Sequence, residues 1–201
     1  MKKVKVLILT VVFLLTMALP AMAQSNSPVN KSSFQNASFY GAEGTIDTTV
    51  DLFTNFEDSN SYILYYQTYD YEKNEFFYSN SVIPASNVIF DVNKGTAKVN
   101  TTVEVYKVTC DDEGNCTSDE TPAGTKSINL AWAFNSKSYS TSKYSDKNIQ
   151  IDFDQYIKLS KGTFKDYYNV SVSGTVDGKG TDSFEYSSGN VYTGSSFSII
   201  K

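Results

Sequence analysis

Arginine and histidine are both absent from this 201-residue sequence, and all 17 of its basic residues are lysines. Without arginine there is no planar guanidinium to grip a carboxylate or phosphate through two parallel hydrogen bonds. Without histidine the Ser-His and Cys-His catalytic pairs and the common zinc sites are excluded. Tryptophan occurs once, cysteine twice and proline four times. The 22 acids outnumber the lysines and leave a net charge of −5. Such a balance argues against nucleic acid as a partner, because binding it depends on clustered cations that neutralise phosphates. It argues equally against an anionic membrane surface.

The start of the chain has the pattern of an export signal. Met1-Lys2-Lys3-Val4-Lys5 is cationic, and an apolar run from Val6 to Leu19 follows, interrupted only by Thr10 and Thr16. Pro20 breaks that run, and Ala21-Met22-Ala23 offers the small residues that a signal peptidase needs. The run is shorter than the roughly 20 residues of a membrane-spanning helix. The expectation is a signal peptide over 1–23, a secreted or periplasmic product, and no membrane span in the mature chain. Cleavage removes three lysines and takes the net charge from −5 to about −8.

Residues 24–33 are polar, contain Pro28 and have no periodicity, so they are expected to form a disordered leader. From Phe34 onward the dominant period is two. Ile128, Leu130, Trp132 and Phe134 alternate with small or polar residues, as in a strand with one face in a core. Val99, Val103 and Val105 share one face of another strand, and Val191, Phe197 and Ile199 one face of the last. Phe164, Tyr168, Val170, Val172 and Val176 read as a further strand, and Ile149, Ile151 and Phe153 as another. Turn signals such as Asn93-Lys94-Gly95 and Asp177-Gly178-Lys179-Gly180 separate these runs. No apolar stripe at helical spacing persists over three turns after the leader, and a helix is expected only as one short turn near Pro84 to Asn87. The pattern predicts an all-β domain over 34–201, a single antiparallel β-sandwich of about nine to eleven short strands.

Cys110 and Cys116 bracket Asp111-Asp112-Glu113-Gly114-Asn115. Two cysteines in an exported chain pair in an oxidising compartment, and here a disulfide would pin the register of a hairpin. The alternative is calcium on Asp111, Asp112, Glu113 and Asn115, whose oxygens suit that ion although their spacing departs from the EF-hand loop. No other cofactor is expected. Asp152 and Asp154 lie two apart on an apparent strand. A carboxylate pair is what glycoside hydrolysis needs, but acids so spaced are normally the wet side of a strand.

Six tyrosines crowd a short stretch: Tyr62, Tyr65, Tyr66, Tyr69, Tyr71 and Tyr78. Alternation sends Tyr65, Tyr69 and Tyr71 to one face of the strand, and Tyr62 and Tyr66 to the other. Exposed tyrosines among Asn, Asp and Gln can stack on sugars or form a protein-binding patch. Trp132, between Leu130 and Phe134 on one face, is expected in the core.

Residues 108–117 place an acidic Gly turn with cysteine ahead of the Trp-bearing strand Ile128-Asn129-Leu130-Ala131-Trp132, and Gly174-Thr175-Val176-Asp177-Gly178 follows later. Over roughly residues 90–180 this arrangement resembles some uncharacterised secreted bacterial proteins. The resemblance implies an all-β exported domain and carries no activity or site residues with it. Three functions remain, in order. They are a non-catalytic β-sandwich that binds a protein or packs into a surface assembly, a carbohydrate-binding module using the tyrosines, and a carboxylate-dependent hydrolase. The partner expected is a protein or surface polymer.

Overall fold

A computed structural model describes residues 29–110, 116–150 and 156–200. The expected signal segment 1–23 lies outside them, as do the acids 111–113 with Asn115, and Asp152 and Asp154. The described residues are all-β apart from two short 3₁₀ turns, Ala85–Asn87 and Thr181–Ser183. The first of these is the one turn of helix expected after Pro84.

Thirteen strands follow one another: β1 (Val29–Glu43), β2 (Ile46–Thr54), β3 (Ser61–Asp70), β4 (Glu75–Pro84), β5 (Val88–Asp91), β6 (Thr96–Cys110) and β7 (Cys116–Ser118). Then come β8 (Gly124–Ala133), β9 (Tyr139–Gln150), β10 (Tyr156–Tyr167), β11 (Ser171–Val176), β12 (Lys179–Gly180) and β13 (Tyr186–Ile200). All pair antiparallel in one sheet with the order β12-β11-β8-β6-β4-β3-β2-β1-β13-β10-β9, while β5 and β7 pair with β6 off that path. This continuous sheet, curled into a half-barrel, stands where a sandwich of nine to eleven strands was expected.

The curl centres on β6. Its residues Thr96 to Val105 pair with β8, and only Tyr106, Lys107 and Val108 pair with β4. One long strand therefore belongs to both walls, which is why periodicity alone reads as two layers. Local chemistry sets the hairpins. Asp177-Gly178 closes β11 and β12 with both residues at positive φ, a conformation that glycine adopts without strain and aspartate tolerates. The Asp70 and Asp91 carboxylates each accept two backbone N–H groups of the turn that follows, which holds both acids below the usual carboxylate range.

The core lies inside the curl. One wall contributes Ala37, Phe39, Val50, Leu52, Leu64 and Tyr66, and the other Ala97, Val99, Val103, Val105, Ile128, Leu130 and Trp132, all at most 3% exposed. Each such large side chain contributes roughly 1.5–3 kcal/mol through burial. The alternating valines of β6 and the Ile-Leu-Trp series of β8 thus face the core as expected.

Two expected boundaries move. Residues 29–33, expected in the disordered leader, form the start of β1, because each finds a partner on β13, from Val29 opposite Ile199 to Ser33 opposite Ser195. A polar strand without hydrophobic alternation is invisible to a search by period. The expected strand from Phe164 to Val176 is broken in two, with Asn169 at φ 61° between β10 and β11. Tyr168 is therefore exposed, while Val176 remains in the core. Of the run Ile149, Ile151 and Phe153, only Ile149 falls within the described residues, at the end of β9.

Candidate functional site: an aromatic band on the outer face

Strand alternation turns half of each wall away from the core. On β3 the inward residues are Leu64 and Tyr66, so Tyr65, Gln67 and Tyr69 point outward. Their partners on β4 are Asn80, Tyr78 and Phe76, and Tyr78 in turn lies opposite Tyr106 on β6. On β1 the core residues Ala37 and Phe39 put Tyr40 on the outer side, beside Tyr186 near the start of β13.

These outward rings form a row across the sheet. Tyr186 and Tyr40 have centroids 6.0 Å apart. Tyr40 donates its hydroxyl to Asp47 Oδ1 at 2.8 Å, and Tyr71 donates to Asp47 Oδ2 at 2.6 Å, so one carboxylate on β2 joins two phenols. Tyr71 meets Tyr69 edge-on at 4.5 Å. The row continues from Tyr69 to Phe76 at 6.4 Å, Phe76 to Tyr78 at 6.3 Å, and Tyr78 to Tyr106 at 6.1 Å. Offset and edge-on contacts at these spacings are individually favourable. Tyr71 and Tyr186 stand clear at 53% and 59% exposed, and the other five rings of the row are half-buried.

The polar ends of the band are held as well. Tyr69 donates to Asn74 Oδ1 at 2.6 Å and Tyr65 to Gln67 Oε1 at 2.7 Å. Burial, with a smaller contribution from Asp47, pushes the Tyr40 phenol up to about 12. For Tyr71 the hydrogen bond to Asp47 comes first and burial second, and both raise it. Burial also pushes Tyr65 up to about 12, and it lifts the neighbouring Asp51 carboxyl against the opposing hydrogen bond from Ser38.

A second row crosses the outer face where β1, β13, β10 and β9 run on beyond the core. Phe56, Phe34, Tyr192, Phe164 and Tyr144 follow one another with centroids 5.5 to 6.0 Å apart. Two glycines make room for it. A Cβ at Gly194 would lie 2.2 Å from Phe164 Cδ1, and one at Gly162 would lie 2.2 Å from Tyr144 Cε1. Rings laid flat over strand glycines restore the packing that a missing side chain forfeits.

Of the six clustered tyrosines, the structure brings Tyr69, Tyr71 and Tyr78 into the band and places Tyr65 beside it. Tyr66 is a core residue at 3% exposed, and Tyr62 packs against the core with its hydroxyl on Gln35 Oε1 at 2.8 Å. Neither belongs to an outward binding set, as the alternation required. Phe76, two positions before Tyr78 on β4, joins them, and Tyr40, Tyr106 and Tyr186 complete the row from three other strands, so no sequence window could reveal the whole row.

The half-barrel also opens in a cleft of about 370 Å³ lined by Ile46, Phe77, Asp70 and Glu75 among others. Its two carboxylates are already engaged, Asp70 with Lys73 at 3.1 Å and Glu75 with Lys107 at 2.8 Å. The disulfide between Cys110 and Cys116 is formed, and the two residues are direct ladder partners on β6 and β7. Among the described residues no group of three His, Cys, Asp or Glu side chains is gathered to hold a metal ion, and no helix is long and apolar enough to cross a membrane. No protein-family model, no curated protein and no solved structure matches this chain.

Proposed function

We propose that the chain is an exported, non-catalytic binding protein that holds a neutral polysaccharide against the aromatic band of its outer face. The observation that carries this reading is the row itself. Seven rings from five strands and one turn line up, with Asp47, Asn74 and Gln67 between them as hydrogen-bond acceptors. Rings supply stacking area for sugar faces, and phenols and amides supply directional contacts to hydroxyls. Export is supported by the cationic and apolar start with its Ala-Met-Ala site and by the formed disulfide. A non-catalytic role is supported by the missing histidine and arginine and by the engaged carboxylates of the cleft. In this reading the two walls of the curl act as the layers of a sandwich, one face buried and the other free to bind.

A protein partner is the second reading, and one observation favours it. Strand β9 ends the sheet order, and among the described residues its ladder is with β10, which leaves the other edge over residues 139–147 open to strand addition. Binding of the purified protein to a panel of neutral polysaccharides, with calcium and with a chelator, tests the first reading. Retention by at least one polymer supports it. No retention across the panel rejects it and turns the search to proteins that add a strand to β9.

A further inference from the structure

Beyond the core, β1, β13, β10 and β9 continue as a four-stranded extension whose two faces differ in chemistry. The outer face carries the second aromatic row together with Asp146 and Asp166. The inner face continues the side that holds Ala37, Val191 and Tyr167 in the core. Constant register along β9 and β10 places Lys143, Lys147, Lys161 and Lys165 on that inner face, and the register of β1 adds Lys31. Lys165 confirms the direction, since its ammonium lies 4.3 Å from the Tyr139 ring centroid, and Tyr139 packs on buried Tyr167. No Asp or Glu occupies an inward position on these four strands over the extension. Lys31, Lys143, Lys147 and Lys161 are exposed, and none of the five lysines forms an ion pair among the described residues.

Their spacing is regular. Successive rungs of the inner face pair Lys165 with Thr141, Thr163 with Lys143, Lys161 with Ser145, and Leu159 with Lys147. The ammoniums therefore alternate between the two strands, one for every step of two residues, about 6.6 Å along the strand. Three of the four rungs also set a hydroxyl beside the ammonium. Edge strands use inward lysines to discourage unwanted pairing, but two of these four lie on β10, which is not an edge. Gathering like charges on neighbouring strands is destabilising by itself, and in a chain with more acids than bases it is a conspicuous segregation.

We infer that this lysine ladder is a second binding surface, and that its occupant is a linear acidic polysaccharide with a carboxylate on successive sugars. The alternation of ammonium and hydroxyl fits a repeat that offers both a carboxylate and hydroxyls. A polyphosphate offers no hydroxyl. Nucleic acid is the poorer fit because no arginine is present to grip its phosphates through paired hydrogen bonds.

The test is binding of the purified protein to polygalacturonate at low and moderate salt. A neutral glucan, inorganic polyphosphate and single-stranded DNA are run in parallel. The ladder predicts binding to polygalacturonate that weakens at least tenfold when salt is raised. It further predicts at least a tenfold loss in the double variant Lys143→Glu with Lys161→Glu, and no loss in Tyr71→Ala. The pair Lys143→Gln with Lys161→Gln supplies the same reading if charge reversal prevents folding. No binding to polygalacturonate at low salt overturns the inference, as does undiminished binding by the folded lysine variants. Tighter binding of polyphosphate or DNA than of polygalacturonate overturns it too. Loss in Tyr71→Ala alone would assign the acidic polymer to the aromatic band instead.

Discussion

Trp132 and Ser38 meet across the core although their strands stand five places apart in the sheet order: the indole Nε1 donates to the Ser38 carbonyl at 2.8 Å. The bond joins β8 to β1 and so ties the two walls of the curl together. The indole is only 1% exposed, and its N–H, which would be costly to bury unpaired, has this partner.

Replacing Trp132 by Phe keeps most of the ring and removes the bond. We expect a loss of about 1–2 kcal/mol, from the bond and from the carbonyl left without its donor. Trp132→Ala should cost about 3–5 kcal/mol through the cavity it opens. Urea denaturation of both variants checks this. A Phe variant as stable as the parent would mean that the bond contributes nothing to closing the curl.

The disulfide should matter less. Cys110 and Cys116 are separated by six positions and close a short hairpin, so the constraint on the unfolded chain is worth about 2 kcal/mol. Reduction, or replacement of both cysteines by Ser, is expected to lower the denaturation midpoint while circular dichroism stays that of the folded sheet. Global unfolding on reduction would assign the hairpin a larger part in the fold.

Tyrosine ionisation offers a pH signature. Tyr40, Tyr65 and Tyr66 are each pushed from 10.0 up to about 12, chiefly by burial. A folded state that holds phenolic protons more tightly than the unfolded chain gains stability that is complete below pH 10. That stability is lost as pH rises from 10 towards 12. Ultraviolet titration should therefore show these phenols ionising late, with unfolding on the alkaline side of pH 10. Asp47→Asn should lower Tyr71 more than Tyr40, because the carboxylate is the larger cause for Tyr71 and burial for Tyr40. Equal shifts of the two would contradict the geometry at Asp47.

The second aromatic row tests its glycines. Gly194→Ala places a methyl group within 2.2 Å of Phe164, and Gly162→Ala does the same to Tyr144. Each ring must lift from the sheet, at about 1–3 kcal/mol. Thermal melting of the two variants measures the effect. Adding Phe164→Leu should relieve most of the penalty at Gly194, and absence of relief would show that the ring is not what the methyl meets.

Much of the wall structure was legible from period two. Ile128, Leu130 and Trp132 face the core as their alternation required, as do Val99, Val103 and Val105. What could not be read was the path of β6, because hydrophobic alternation reports which residues face inward and not which strands they pair with. The entry of β1 at Val29 was hidden for a different reason. Asn30, Lys31, Ser32 and Ser33 carry no apolar side chain to reveal a strand, and only their ladder with β13 makes them one. In the band, Tyr69, Tyr71 and Tyr78 were visible as neighbours in sequence, whereas Tyr40, Tyr106 and Tyr186 depend on the strand order for their place.

Retention on an insoluble neutral polysaccharide, compared between the parent protein and folded Tyr71→Ala and Tyr78→Ala variants, tests the outer band most directly. If the band is the binding surface, the parent is retained and each substitution weakens retention at least tenfold, roughly the 1–3 kcal/mol that a lost aromatic contact carries. Equal retention of parent and variants would place any binding elsewhere on the molecule and contradict the role given to the band.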